Sequence, residues 1–173
     1  ALSRGGDQAV VKNRFNFEFF GGRGSAMETR TKVKSRVMAN ALQKLISDSS
    51  MVLIMGHKYA DLDAVGSAVG VCCAARISGV RASIVMEKDC PAKPLIDKLE
   101  GEEAFRDLFI SAREAMIRAD SRTLLVVVDT NRPDQVEHEG LLQTCNRVAV
   151  IDHHRRSASY IDKAVLTFLE PSA

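Results

Sequence analysis

Four short runs made up almost wholly of apolar residues mark the larger part of this chain, and longer segments of mixed polarity separate them. The runs occupy residues 51–55, 82–86, 124–128 and 147–151. Strands that are apolar throughout are typical of a sheet covered on both faces. The intervening segments predict helices from near Ala64 and over residues 93–99 and 111–118. This alternation predicts an α/β fold with a mostly parallel sheet flanked by helices.

The first 48 residues follow a different pattern. Residues 8–12 and 16–20 are short candidates for strands, and a glycine-rich turn follows them. Apolar residues at three-to-four spacing over residues 27–48 predict an amphipathic connector helix. Its polar face is basic, with Arg30, Lys32, Lys34 and Arg36. We therefore expect three parts, over residues 1–26, 27–48 and 49–173.

Acidic and imidazole side chains directly follow three of the apolar runs. They are His57, Asp61 and Asp63 after the first run, Asp129 after the third, and Asp152, His153 and His154 after the fourth. Ligands of open parallel sheets bind beyond the carboxyl ends of the strands, so we expect these groups to meet at one place. If the Asp61-Leu62-Asp63 segment is extended, its two carboxylates project to the same side, within reach of two adjacent cations.

Each of these features also has a purely structural explanation, because an aspartate after a strand often caps a turn or a helix. A whole cluster of like charges at the end of an apolar sheet, however, needs compensating cations. Carboxylates mixed with imidazoles, without thiolate, favour Mn²⁺, Mg²⁺, Fe²⁺ or Co²⁺ over structural zinc. We expect two divalent ions, with Mn²⁺ as the first choice. Such a pair activates a shared hydroxide and holds a phosphoryl oxygen, which predicts phosphodiester hydrolysis.

Neighbouring residues suggest how a phosphate would be held. The predicted helix near Ala64 directs its N-terminus at the same place. Arg155 and Arg156 add positive charge next to the imidazoles, and Arg155 is a candidate catalytic residue, although a solvated pair is an equal alternative. Tyr59 either lines the substrate cleft or packs against the protein. We assign no role to His138.

The composition of the chain limits the classes of partner that it is expected to bind. Its 173 residues are 46% hydrophobic and 27% charged, which is typical of a globular protein. The net charge of +2 predicts no attraction to long nucleic acids or to anionic membranes. No apolar run is long enough to cross a bilayer and no signal peptide opens the chain, so we expect a cytoplasmic segment without membrane contact. The four cysteines contain no CxxC pair and are expected to be reduced thiols.

Three segments resemble, in order, the three first motifs of the DHH phosphoesterases: GHKYADLDAVGSA, VVVDTNRP and VIDHHRR. The likeness is greatest to the GdpP-type cyclic di-AMP phosphodiesterases, in which a PAS domain and a degenerate GGDEF domain precede the DHH and DHH-associated domains. Residues 4–8 (RGGDQ) resemble the degenerate GGDEF signature, and the basic helix resembles the connector of that family. Gln8 stands at an acidic position of active cyclases, so we expect no cyclase activity.

The resemblance implies a role for each candidate residue. His57 and Asp61 would bind one ion, Asp63 and His153 the other, and Asp129 would bridge the two. His154 would face the substrate phosphate, while Asp152 would orient its neighbours.

The resemblance also implies properties of a longer protein. The last metal-ligating aspartate of the family and its DHH-associated domain are expected beyond residue 173, so we expect this chain alone to bind metal incompletely and to be a weak enzyme. The parent protein is expected to be active, homodimeric and anchored in the cell membrane, with this region on the cytoplasmic side.

The function predicted from the sequence is hydrolysis of cyclic di-AMP to linear pApA by a phosphodiesterase with a dinuclear metal centre. Related metal motifs leave two enzymatic alternatives, a nuclease for pApA or short RNA and a hydrolase similar to the family II pyrophosphatases. A third alternative is a non-catalytic regulatory module that binds a nucleotide.

Overall fold

The computed structural model describes the backbone over residues 9–13, 16–20 and 26–170 and the side chains over residues 33–170. Contacts between Cα atoms divide the chain into two compact units, Ala1–Asn40 and Ala41–Ala173. Among the described residues, no helix has both the length and the hydrophobicity that crossing a bilayer requires.

The first unit contains a two-stranded antiparallel hairpin. Strand β1 (Ala9–Asn13) pairs with β2 (Asn16–Phe20), and Ala9 lies opposite Phe20. Helix α1 (Ala26–Ser47) follows, and its last turns belong to the second unit. The predicted strands and connector helix are therefore present to within one residue at each end, whereas the RGGDQ segment lies outside the described residues. The assignment of this unit to a GGDEF domain stays a prediction.

The second unit is built on a six-stranded sheet in which all neighbouring strands are parallel, with the order β5-β4-β3-β6-β7-β8. Its strands are β3 (Met51–Met55), β4 (Arg81–Val85), β5 (Phe109–Ile110), β6 (Leu124–Val128), β7 (Arg147–Asp152) and β8 (Leu166–Leu169). Its further helices are α2 (Leu62–Ile77), α3 (Lys93–Glu100), α4 (Ala112–Arg118) and α5 (Glu139–Thr144), with a short 3₁₀ helix at Glu103–Phe105. The predicted α/β fold with a mostly parallel sheet is confirmed.

The two central strands explain the apolar runs. Every residue of β3 and of β6 is buried. Successive side chains of a strand point to opposite faces, so Val52 and Ile54 join one apolar cluster and Leu53 and Met55 join another. Because both faces of these two strands are covered, their sequences do not alternate between apolar and polar residues. A continuous apolar run therefore predicted both strands correctly.

Two strands and one helix were absent from our prediction. Strand β5 has only two residues, and β8 is half-buried throughout. Helix α5 spans six residues, which are too few for a helical spacing of apolar residues to be recognised in the sequence. These elements depend on neighbours distant in sequence, as in the pairing of Ala149 with Leu166 that attaches β8 to β7.

The strand order creates a crevice at the carboxyl edge of the sheet. From β3 the chain runs outward through β4 to β5, and it then returns to the other side of β3 to form β6, β7 and β8. Such a reversal of direction is where ligands bind in open α/β sheets. The reversal places the segments after β3, β6 and β7 side by side, and these segments, with the first turn of α2, carry the candidate ligands.

Candidate metal centre

The loop after β3 is held to the segment before α5 by backbone hydrogen bonds. Lys58 N donates to Gln135 O over 2.8 Å, and Glu137 N donates to Gly56 O over 2.9 Å. His57 pairs with Val136 in an isolated antiparallel bridge between these bonds. Its Nδ1 lies 2.8 Å from Lys58 O, so this nitrogen donates to the carbonyl and Nε2 is left for another partner. Segment 135–137 therefore fixes the orientation of the first imidazole.

Tyr59, in the same loop, is held in an unfavourable backbone conformation. Its φ is +59°, in the left-handed region that side chains with a Cβ atom rarely adopt. The residue is 78% exposed, so the ring is not packed in the core. The ring is therefore mostly in solvent, and a place near a ligand stays a prediction.

Asp61 and Asp63 lie on different structural elements, contrary to the extended geometry that we considered. Asp61 is extended, with φ −98° and ψ −170°, but α2 begins at the next residue. The Asp61 carboxylate caps this helix by accepting from Asp63 N at 3.0 Å and from Ala64 N at 3.1 Å. The bond from Ala64 N is the main reason why the pKa of Asp61 is lowered. The structural explanation, capping of a helix, therefore holds for Asp61, and its role as a metal ligand stays a prediction.

Asp129 occupies the middle of the crevice. It is 5% exposed, and its φ of +58° turns the chain sharply at the end of β6. Its Oδ2 lies 3.6 Å from His57 Nε2, and its Oδ1 lies 3.1 Å from His153 Nε2. Burial is the largest cause that raises the pKa of the Asp129 carboxyl, and the charge of Asp61 adds to it. A buried carboxylate with imidazoles on both sides is suited to hold cations.

The loop after β7 is ordered by a buried carboxylate. Asp152 Oδ1 lies 2.8 Å from His154 Nδ1 and accepts from the backbone N of His154 at 3.1 Å. This hydrogen bond raises the pKa of His154. The Asp152 Oδ2 accepts from Asn131 Nδ2 at 2.6 Å. Asp152 therefore contacts His154 through both the side chain and the backbone, while His154 Nδ1 stays 3.7 Å from Asp129 Oδ1.

Two sets of three side chains have ligand atoms within 4.8 Å of one another. The first contains His57, Asp61 and Asp129, and the second contains Asp129, His153 and His154. Because Asp129 belongs to both sets, the geometry is that of a carboxylate shared between two adjacent positions.

A cavity of about 420 Å³ opens beside these sets. Asp63 belongs to neither set, but it lines this cavity together with Asp129 and His153. Gly66 and Ser67, from the first turns of α2, also line it. Glu170, which follows β8, forms part of the wall.

The structure does not bring the Arg155 side chain into the cluster. Arg155 is exposed, and its contribution among the described contacts is its backbone carbonyl, which accepts from Asn131 Nδ2 at 3.2 Å. The guanidinium of Arg156 lies 3.7 Å from the centroid of the Tyr160 ring. Both side chains belong to an exposed loop, and the sequence does not indicate where such a loop places them.

Two residues of the site were missed from the sequence. Asn131 is 4% exposed and joins the loops after β6 and β7, and Glu170 lies in the cavity wall. Glu170 has the same signal as Asp129, a polar side chain directly after a strand, but β8 was not predicted. Asn131 falls within a turn-rich segment, where asparagine is common for other reasons.

Comparison with known proteins gives three findings. The model of the DHH family, N-terminal domain, matches residues 51–173. The chain is 39% identical over 177 aligned residues to the cyclic-di-AMP phosphodiesterase GdpP of Geobacillus thermodenitrificans and 40% identical to the cyclic-di-AMP phosphodiesterase PdeA of Listeria monocytogenes. Both alignments include 100% of this chain and 27% of the relative, so the chain spans about a quarter of their length.

A solved structure, an exopolyphosphatase-related protein from Bacteroides fragilis, superimposes with a TM-score of 0.58. The match has 18% sequence identity and includes 78% of this chain and 38% of that protein. At this identity the likeness establishes the fold alone.

Proposed function

We propose that this chain, which belongs to the DHH family, is part of a metal-dependent phosphodiesterase that hydrolyses cyclic di-AMP to linear pApA. Both relatives named above are named as cyclic-di-AMP phosphodiesterases, and the chain aligns with them over its whole length at 39% and 40% identity. Since the chain spans 27% of these relatives, the activity, substrate and partners of the complete protein are part of the proposal.

The observation that carries the proposal is the position of Asp129 between two sets of potential ligands. An isolated carboxylate is expensive to bury as an anion, and cations on both sides of it would remove that cost. The donor set of carboxylates and imidazoles fits a divalent ion such as Mn²⁺. The residues present therefore fit a dinuclear metal centre.

We assign His57 and Asp61 to one ion, Asp63 and His153 to the other, and Asp129 to both. Bound there, the ions would lower the pKa of a water molecule and neutralise the phosphate. Asp63 lines the same cavity as Asp129 and His153, which supports its assignment to the second ion.

Further residues beside the proposed metal centre are assigned to binding and orienting the substrate. Asp152 holds His154 through Nδ1, so His154 Nε2 is free to donate to a phosphate oxygen. Arg155, in the exposed loop that follows, is assigned to the outer side of the same phosphate. Gly66 and Ser67 line the cavity at the start of α2, where small side chains allow a phosphate to approach closely.

The domain division is part of the same proposal. Residues 1–26 are assigned to the end of a degenerate GGDEF domain, 27–48 to a connector and 49–173 to the DHH domain. The parent protein is proposed to be a homodimer anchored in the membrane, with this region on the cytoplasmic side.

The test is manganese-dependent hydrolysis of cyclic di-AMP, measured by separation of the products, with this chain and with a version extended past Ala173. We expect pApA from the extended protein, weak turnover by this chain, and none from either after Asp129→Ala. Competition with pApA, short RNA and pyrophosphate ranks the enzymatic alternatives. Preference for pyrophosphate contradicts the proposal, and unchanged hydrolysis after Asp129→Ala favours the regulatory alternative.

A further inference from the structure

A second cavity, of about 850 Å³, lies at the opposite end of the sheet from the candidate metal centre. It is lined by the first residues of β3 and β4, by the segment after α2, and by the end of α4. Strands of five residues span roughly 16 Å, so this cavity is separated from the carboxyl edge by the full length of the central strands. Nothing in the proposed phosphodiesterase chemistry uses it.

Positive charge predominates in the lining of this cavity. Arg76, Arg81 and Arg118 line it, with Asp107 as the acidic residue among the lining residues. Arg76 donates from Nε and Nη2 to Ala82 O at 3.3 Å and 3.1 Å, and Arg118 forms an ion pair with Glu114. A guanidinium has five N–H donors, so both arginines keep donors for a further acceptor.

Helix ends explain two of these arginines but not the third. Arg76 and Arg118 lie in the last turns of α2 and α4, where a positive charge complements the helix dipole. Arg81 is the first residue of β4, and among the described residues it has no hydrogen bond or ion pair from its side chain. Its guanidinium is exposed to solvent and is available to a ligand in the cavity.

Ser83 supplies a second, independent observation. It is 7% exposed on a central strand, and its hydroxyl makes no hydrogen bond within the described part of the chain. Arg81 and Ser83 are separated by one residue along β4, so their side chains project from the same face of the sheet. Both line the cavity. The Ser83 Oγ is not among the fully buried polar atoms that lack a partner, so it is open to the cavity and available to donate to a ligand oxygen there.

We propose that this cavity binds the phosphate group of a small metabolite, with the Ser83 hydroxyl and the Arg81 guanidinium as direct contacts and Arg76 and Arg118 as the surrounding charge. A cavity of this volume accommodates a molecule of nucleotide size. Planar guanidinium groups bind phosphate through paired hydrogen bonds, and a hydroxyl adds one more. The site is independent of the metal centre and of the proposed reaction.

The experiment measures binding of pyrophosphate and of AMP to this chain by calorimetry, in the presence of EDTA so that the metal centre does not contribute. The two probes distinguish a bare phosphate ligand from a nucleotide. Arg81→Ala and Ser83→Ala are each expected to weaken binding about tenfold. Arg81 is exposed, and Ser83→Ala removes one hydroxyl, so both variants should fold, which their melting curves establish.

Two matched variants complete the design. Arg113→Ala removes an exposed arginine from α4 that does not line the cavity, and it should leave the affinity unchanged. Asp129→Asn alters the metal centre and should also have no effect. Failure of both probes to bind the unaltered chain at millimolar concentration overturns the proposal. Binding that persists in Arg81→Ala and Ser83→Ala, or that is lost in Asp129→Asn, also overturns the proposal. None of these results bears on the proposed phosphodiesterase activity.

Discussion

Asn131 donates a hydrogen bond from Nδ2 to Asp152 Oδ2 over 2.6 Å, and both residues are 4% exposed. The same amide nitrogen lies 3.2 Å from Arg155 O, and Asn131 Oδ1 accepts from Ser157 N at 3.0 Å. One buried side chain from the loop after β6 thus fixes both Asp152 and the loop that follows β7. It orders the imidazole of His154 through Asp152 without touching a candidate ligand itself.

Replacing Asn131 by alanine should therefore destabilise the chain and slow the reaction without weakening metal binding. Loss of these buried hydrogen bonds should cost roughly 1–3 kcal/mol in the free energy of unfolding, measured by urea denaturation. In the extended protein kcat should fall while the affinity for Mn²⁺ is retained. Asn146→Ala, at an exposed asparagine, is the control and should change stability by less than about 0.5 kcal/mol. A large loss of metal affinity in Asn131→Ala would show that this residue supports the ligands directly.

Asp129→Asn should have opposite effects on the metal-free and metal-bound forms. The pKa of Asp129 is raised, chiefly by burial, so its contribution to stability is present below the ordinary value and is lost as the pH rises through the raised one. At neutral pH without metal, the substitution removes that charge, and asparagine tolerates the left-handed φ of this position. The melting temperature in EDTA should therefore rise.

With Mn²⁺ at a hundredfold excess over its Kd, the unaltered chain should gain about 2.7 kcal/mol, and Asp129→Asn should gain close to none. Asp162→Asn, at an exposed aspartate, serves as the matched control and should retain the gain. Equal stabilisation of Asp129→Asn by Mn²⁺ is incompatible with a shared ligand at this position.

Tyr59→Asn should stabilise the chain, because asparagine adopts the left-handed region at lower cost than tyrosine does. The expected gain is up to about 1 kcal/mol in the free energy of unfolding, measured by urea denaturation in EDTA. Tyr59→Phe keeps the strain and should match the unaltered chain. If Tyr59→Asn proves less stable than Tyr59→Phe, the exposed ring makes a packing contribution that its 78% exposure does not suggest.

Glu137 should produce a measurable pH dependence. Its carboxyl is half-buried and Oε1 accepts from Glu87 N at 3.1 Å, and burial is the main reason why its pKa is raised above the ordinary 4.5. Its stabilising contribution is therefore complete below that value and is lost as the pH rises through the raised pKa. Melting temperatures of metal-free Glu137→Gln should fall less than those of the unaltered chain between about pH 4.5 and neutrality. The control is Glu102→Gln, at an exposed residue; parallel curves for Glu137→Gln and the unaltered chain would contradict the assignment.

The cysteines should separate into two classes of reactivity. All four are free, as expected from the sequence, but Cys72 and Cys145 are buried, whereas Cys73 and Cys90 are partly exposed. Burial raises the pKa of Cys72 to about 11 and also raises that of Cys145, so few of these thiols are ionised at pH 8. A disulfide reagent should modify two thiols rapidly and the others only on unfolding. Rapid modification of a double Cys73→Ser, Cys90→Ser variant would refute this division.

The sequence by itself determined the central strands, the main helices and the three motifs of the family. Strands β3 and β6 were predicted with their observed bounds because each is buried on both faces, and a continuous apolar run reports that condition directly. The polar residues that follow them had to meet because parallel strands share one carboxyl edge. The prediction of the family is likewise confirmed.

Only the tertiary structure decided which oxygen and nitrogen atoms lie next to one another. The left-handed turn at Asp129, the use of Asp61 as a helix cap, and the bond from Asn131 to Asp152 depend on backbone angles and on partners in other loops. Strand β8, which places Glu170 in the cavity wall, is defined by its pairing with β7. Apolar periodicity is a local property that a sequence displays, whereas these contacts are formed between segments that only folding brings together.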